Sequence, residues 1–179
     1  KQYEEQLAQL ANHDPLTGLA NRHALLTHFA QLKAQGPLCI AFIDLDDFKT
    51  VNDTFGHRSG DELLIQLSQR LRDACPPGAV VGRLGGDEFV LLLPFPLASL
   101  LVNSTAHHCL NAALTPFELD NGQAKVGASG GIDEVQEEDD FVNALRRADR
   151  SMYQIKHTGK NGVAIGQTLL SVSRTGTYP

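Results

Sequence analysis

No stretch of this chain approaches about 18 consecutive apolar residues, so nothing in it reads as a membrane-spanning helix. The polar segment from Lys1 to Gln9 likewise offers no apolar signal sequence. Positive charge is in deficit: 15 Lys and Arg stand against 21 Asp and Glu, a net −6 that repels a polyanion and argues against long nucleic acids as partners. Cysteine is sparse. Cys39, Cys75 and Cys109 are far apart, odd in number and in no C-x-x-C pair, which speaks against a disulfide framework and a zinc site and fits a reducing cytoplasm. There is no internal repeat and no composition break. At roughly 100–200 residues per domain, 179 residues are one domain with short appendages. A chain that begins at Lys reads as a fragment: the piece itself makes no membrane contact, while its parent can still be anchored to an inner membrane.

What is present is helical and strand periodicity in alternation. Residues 1–11 place Tyr3, Leu7 and Leu10 on one face of a short linker helix able to continue an upstream coiled coil. After a break at His13 to Gly18, Leu25, Leu26, Phe29 and Leu32 predict a helix that stops at Gly36-Pro37. Leu38 to Ile43 is apolar throughout, as expected of a strand covered on both faces, and it ends in acid at Asp44-Leu45-Asp46-Asp47. From Asp61, leucines 63, 64, 67 and 71 predict a helix ending at Cys75-Pro76-Pro77-Gly78. Two short strands, Ala79 to Leu84 and Phe89 to Leu93, flank a glycine turn at Gly85-Gly86-Asp87-Glu88. A helix over 97–114, a strand over 125–135, a helix lined by Phe141, Leu145, Ala148, Met152 and Ile155, and a last strand at 163–165 follow. Residues 167–179 read as a linker or tail. Hairpin and crossover connections together predict an α/β fold with a mixed, largely antiparallel central sheet flanked by helices.

If the strand before Asp44 and the hairpin carrying Asp87 are neighbours, the two carboxylates converge at one rim of the sheet. Hard oxygen ligands of that kind, completed by water and phosphate oxygens, hold Mg²⁺ in nucleotide enzymes. Gly85 and Gly86 would let backbone and phosphate approach closely, although Asp and Gly are also ordinary turn formers. Asn52 and Asp61 carry the acceptor and donor groups that a guanine edge requires. Equally, Asn52 suits a turn and Asp61 suits a helix cap. Lys156 and Lys160, at a helix end, can meet a triphosphate as point charges, or simply complement the helix dipole. His107 and His108 have no ligand partner at suitable spacing and are expected to face solvent.

Five ordered stretches carry a resemblance: Asp14 to Arg22, Asp44 to Asp61, Arg83 to Phe89, Ala128 to Ile132, and Ala148 to Tyr153 with Lys156 to Asn161. Together they resemble the GGDEF domain of bacterial diguanylate cyclases over residues 12–166, a domain similar to the palm of nucleotide polymerases and nucleotidyl cyclases. The resemblance implies condensation of two GTP into cyclic di-GMP with release of two pyrophosphates, with two Mg²⁺ per active site and Mn²⁺ as the alternative ion. It implies that Asp44, the Leu45 carbonyl and Asp87 ligate metal, and that Glu88 joins them as ligand or proton acceptor. It also implies that Asn52 and Asp61 read guanine with His57 beside them, and that amides near Phe48 hold phosphates with Lys156 and Lys160. Each domain would bind one GTP, so a homodimer is needed, driven by an upstream sensor. The rival expectation is a catalytically silent GTP-binding regulatory module, for example one attached to a cyclic di-GMP phosphodiesterase. A pure interaction module is more distant.

Departures from the family pattern carry information. The Arg-x-x-Asp product-inhibition site of many relatives falls here on Pro76-Pro77-Gly78-Ala79, with no charge left to bind product. Lys160 stands where the family often has Arg, and loses the bidentate fork. Gly130 replaces a large apolar residue, which is expected to loosen its strand.

Overall fold

The computed structural model describes residues 1–171. Chain order is α1 (Gln2–Asn12), α2 (Arg22–Gln35), β1 (Cys39–Asp46), α3 (Phe48–Phe55), α4 (His57–Ala74), β2 (Val80–Gly85), β3 (Glu88–Leu93), α5 (Leu100–Leu114), β4 (Phe117–Leu119), β5 (Gly122–Ala124), β6 (Gly127–Glu134), α6 (Phe141–Thr158), β7 (Gly162–Ile165) and β8 (Thr168–Ser171). Six strands form one sheet in the order β2-β3-β1-β6-β7-β8, and β4 with β5 makes a separate small hairpin. Within the large sheet β6 and β7 run parallel and the other neighbours antiparallel. The expected mixed, largely antiparallel sheet flanked by helices is the architecture found.

The apolar run in β1 is explained by its central position. Cys39, Ala41, Ile43 and Leu45 point into one core with Phe89, Leu91 and Leu93 of β3, covered by α4 and α5. Ile40 and Phe42 point the other way, with Val90 and Leu92, against Leu25 and Phe29 of α2 and Phe141, Ala144, Ala148 and Met152 of α6. A strand whose successive side chains face opposite sides can be apolar throughout only when both sides are covered. The same alternation puts Asp44 and Asp46 on the α6 side of the sheet. Helix α6 lies close on β6: a Cβ at Gly131 would come within 2.2 Å of the Ala148 carbonyl oxygen.

Several elements differ from the sequence expectation. The helix expected from Asp61 begins at His57, and a second helix, α3, precedes it; Gly56 at a φ of 89° makes the corner between them. The helix over 97–114 begins at Leu100, because Ser99 caps it by accepting from the Leu101 amide. Hairpin β4–β5 was not expected, since three-residue strands carry too few positions to show periodicity. Within the stretch read as linker, Thr168–Ser171 pairs with β7 as an edge strand; residues 172–179 lie outside the described part. At Gly130 the ladder is unbroken on both sides, to Ile43 and to Val163, so the missing side chain does not interrupt the pairing of β6. Helix α1 matches expectation, with Tyr3, Leu7 and Leu10 all exposed.

Candidate active site

The rim of the sheet is built by the register of β1 and β3, in which Asp44 stands opposite Glu88. The two-residue turn before Glu88 brings Asp87 to the same edge. Gly85 and Gly86 both adopt positive φ there, 143° and 49°, a conformation that side chains disfavour. Arg83 pins the turn from below, donating from Nε to the Gly86 carbonyl at 2.9 Å.

Proximity of like charge shows in the protonation of these groups. Burial first, and then the neighbouring Asp44 carboxylate, push the Asp87 carboxyl up to about 7, against the opposing pull of Lys156. Burial and the carboxylates of Asp44 and Asp149 likewise raise Glu88. Lys156, in the last turn of α6, donates to Asp44 Oδ2 at 2.7 Å and lies 4.0 Å from Asp46 Oδ1. Asp44 Oδ1 is buried and has no hydrogen-bond donor. A buried carboxylate oxygen without a donor is costly, and a shared proton or a cation is what satisfies it.

Asp46, two residues on, is occupied structurally. Both its oxygens accept from the Ser129 hydroxyl at 2.9 Å, and Oδ2 also accepts from the Asn161 amide at 3.1 Å. Those bonds hold Lys160 and Asn161 at positive φ, 61° and 53°, just beyond the α6 cap at Gly159. Lys160 is therefore past the helix rather than in its last turn, where it reaches Asp47 Oδ1 at 2.9 Å. That hydrogen bond raises the Lys160 pKa. Asp46, Ser129 and Asn161 belong to the motif stretches, but spacing alone assigned them no role; the close approach of three distant segments does.

Asp47 itself is left-handed at the N-cap of α3 and makes no side-chain cap bond. The first turn of α3, beginning at Phe48, thus presents its amides beside the acidic rim. Asn52 folds back over the start of α4, its Oδ1 only 1.9 Å from where a Cβ on Gly60 would sit, with the Phe48 ring alongside. Gly60 is what permits that contact. Asp61 lies beyond the first turn of α4, exposed, and it is not the cap, because Gly56 holds that position. The capping explanation for Asp61 is removed. His57 is exposed at the first position of α4.

The structure therefore gathers Asp44, Asp87, Glu88 and Lys156 at one edge, with Asp47 and Lys160 adjoining, and sets Phe48, Asn52, His57 and Asp61 on the α3–α4 corner. Among the described residues no three His, Cys, Asp or Glu close into a metal cage. Two acids at an open rim, one with an orphaned oxygen, are a donor set suited to Mg²⁺ when water and phosphate oxygens complete the shell.

Comparison with known proteins identifies the family. The family model described as "Diguanylate cyclase, GGDEF domain" matches residues 11–162. An uncharacterized protein of Mycobacterium tuberculosis is 37% identical over 178 residues, covering 95% of this chain and 28% of that protein. Diguanylate cyclase DgcP of Escherichia coli is 41% identical over 150 residues, covering 80% of this chain and 44% of that protein. The coiled coil and GGDEF domain of DgcB from Caulobacter crescentus, solved in complex with c-di-GMP, superposes with a TM-score of 0.78 at 27% identity, covering 91% of this chain and 90% of that one. The chain spans less than half the length of these two curated relatives.

Proposed function

This chain belongs to the GGDEF family of diguanylate cyclase domains, and from that premise we propose that it condenses two GTP into cyclic di-GMP, releasing two pyrophosphates. The observation that carries the reading is the meeting of Asp44, Asp87 and Lys156 at one sheet edge, beside an uncapped helix N-terminus.

In this reading the 3′-hydroxyl of each GTP attacks the α-phosphate of the other, pyrophosphate leaves, and the exchange occurs twice. Asp44, Asp87 and the Leu45 carbonyl would hold two Mg²⁺, or Mn²⁺, and such ions would supply neutralisation of phosphate charge and acidification of the attacking hydroxyl. Lys156 and Lys160 exchange their hydrogen bonds to Asp44 and Asp47 for phosphate oxygens. The α3 amides at Phe48 add donors aligned with the helix dipole. Asn52 and Asp61 read the guanine edge, with His57 at the mouth of that corner. Glu88 stands opposite Asp44 as a further ligand or as acceptor of the hydroxyl proton.

One guanine corner per chain and two guanines in the product require two chains facing each other. The exposed Tyr3, Leu7 and Leu10 face of α1 is suited to a coiled coil descending from an upstream sensor, which would raise the effective concentration of the second half-site. Supply of GTP places the domain in the cytoplasm. With Pro76-Pro77-Gly78-Ala79 at the position of the Arg-x-x-Asp site, product does not inhibit through it. Incubation of the dimeric protein with GTP and Mg²⁺, followed by chromatography of the nucleotides, is expected to yield cyclic di-GMP; GTP bound but unconverted overturns the reading.

A further inference from the structure

Three non-glycine residues among those described adopt a left-handed backbone: Asp47, Lys160 and Asn161, at φ of 63°, 61° and 53°. All three meet at one place. Lys160 Nζ donates to Asp47 Oδ1 at 2.9 Å, and the Asn161 amide donates to Asp46 Oδ2 at 3.1 Å. Such conformations cost free energy that the surroundings must offset, and they collect at sites of function. Here the offsetting group is Asp46, whose side chain is 2% exposed. Both its oxygens accept from the Ser129 hydroxyl at 2.9 Å. Ser129 is itself fully buried, on β6 between Asp44 of β1 and Gly162 of β7. Lys156 Nζ lies 4.0 Å from Asp46 Oδ1, so both carboxylate oxygens face donors or positive charge. Gly127, opposite Asp46 in the ladder, leaves the room: a Cβ there would overlap Asn161 Oδ1 and stand 3.2 Å from Asp46 Oδ2. Asn161 Oδ1 is buried without a hydrogen-bond donor, so the backbone amide of Asn161, not its side chain, makes the tie.

We propose that Asp46 is a positioning residue of the phosphate grip. It clasps the segment after α6 to β6 and so sets Lys160 toward a nucleotide's phosphate oxygens, without itself touching metal or nucleotide. Adjacent peptide units move together: the Asn161 amide, held against Asp46, fixes the left-handed turn at Lys160 and with it the direction in which that side chain leaves the backbone. Lys160 then exchanges Asp47 for phosphate with its backbone already in place, and less ordering remains to be done on binding. The inference rests on the phosphate-holding role proposed for Lys160, and it gives the acid two residues after Asp44 a task separate from that of the metal ligands.

The test is equilibrium titration of the full chain with a nonhydrolysable GTP analogue in Mg²⁺, on variants checked for folding by their thermal transitions. Ser129→Ala removes a donor from Asp46 and leaves every charge in place; Asp46→Asn keeps the shape and loses the charge. Each is expected to weaken binding of the analogue about tenfold, as is Lys160→Ala, within the range over which contacting residues couple. The decisive arm combines Ser129→Ala with Lys160→Ala, which is expected to bind no more weakly than Lys160→Ala alone, whereas a general structural role would make the losses add. Should Ser129→Ala fail to fold, Asp46→Asn takes its place in the pair. Unchanged affinity in either single variant of the pair, or additive losses in the double variant, overturns the proposal. A wild type that binds GTP but yields no cyclic di-GMP overturns the cyclase reading alone and leaves this comparison intact; a wild type that binds no analogue overturns both.

Discussion

Arg83 and Asp14, 69 positions apart, form a two-point contact in which Nη1 lies 3.0 and 2.9 Å from the two carboxylate oxygens. Their side chains are 10% and 12% exposed. Burial raises the Asp14 pKa, but the Thr17 hydroxyl and amide, with Arg83, outweigh it and hold the carboxyl below its usual value. Since Arg83 also holds the Gly86 carbonyl, the pair ties the segment after α1 to the turn carrying Asp87. Arg83→Ala is expected to cost on the order of 3 kcal/mol in denaturant unfolding, because it strands a buried carboxylate. It should also lower turnover, and the double change with Asp14→Ala should cost less than the sum of the singles. Additive costs would refute the coupling.

Acid–base linkage gives a second expectation. The Asp87 carboxyl ionises near 3.8 in the unfolded chain and at about 7 in the folded one. Between these values the native protein keeps a proton that the unfolded chain has lost, so this group makes metal-free stability fall as pH rises through the window. Asp14 and Asp139, held below the usual carboxylate value, titrate at lower pH. Glu88 and Asp133 are raised and contribute with the same sign, so the informative quantity is the difference between the wild type and Asp87→Asn. Thermal midpoints across the window, in the presence of a chelator, should decline less steeply in the variant; identical slopes would contradict the assignment.

The acidic rim and the α3–α4 corner lie on separate elements, so the metal-holding and guanine-reading roles proposed for them should fail separately. Asp87→Ala is expected to abolish turnover while leaving GTP binding detectable by thermal shift. If Asp61 reads guanine as proposed, Asp61→Ala is expected to narrow the preference for GTP over ATP by about 1–3 kcal/mol, because the guanine donor pair would lose its acceptor. Competition binding of the two nucleotides checks this, and equal weakening of both would exclude a guanine-reading role.

Close packing of α6 on the sheet depends on Gly131. A methyl there meets the Ala148 carbonyl oxygen at 2.2 Å and the Met152 amide nitrogen at 2.6 Å, both backbone atoms that cannot rotate away. Gly131→Ala is therefore expected to destabilise the fold by about 1–3 kcal/mol. Because α6 carries Lys156, turnover should fall with it. At Gly130 the nearest atom to a Cβ is 3.3 Å away, and the same substitution should be tolerated far better in equilibrium unfolding.

Much was legible from residue order alone. An all-apolar strand implied cover on both faces, glycine and proline marked most element ends, and five spaced motifs identified the family. These are local properties, set by side-chain alternation, backbone freedom and missing amide donors, and each is written within a few neighbouring positions. Tertiary structure alone decided the rest. It set Asp44 opposite Glu88, put Asp46 under Ser129 and Asn161, and took the cap away from Asp61. Those relations depend on strand register and helix docking, and so on the packing of segments whose separation along the chain carries no record of their distance in space.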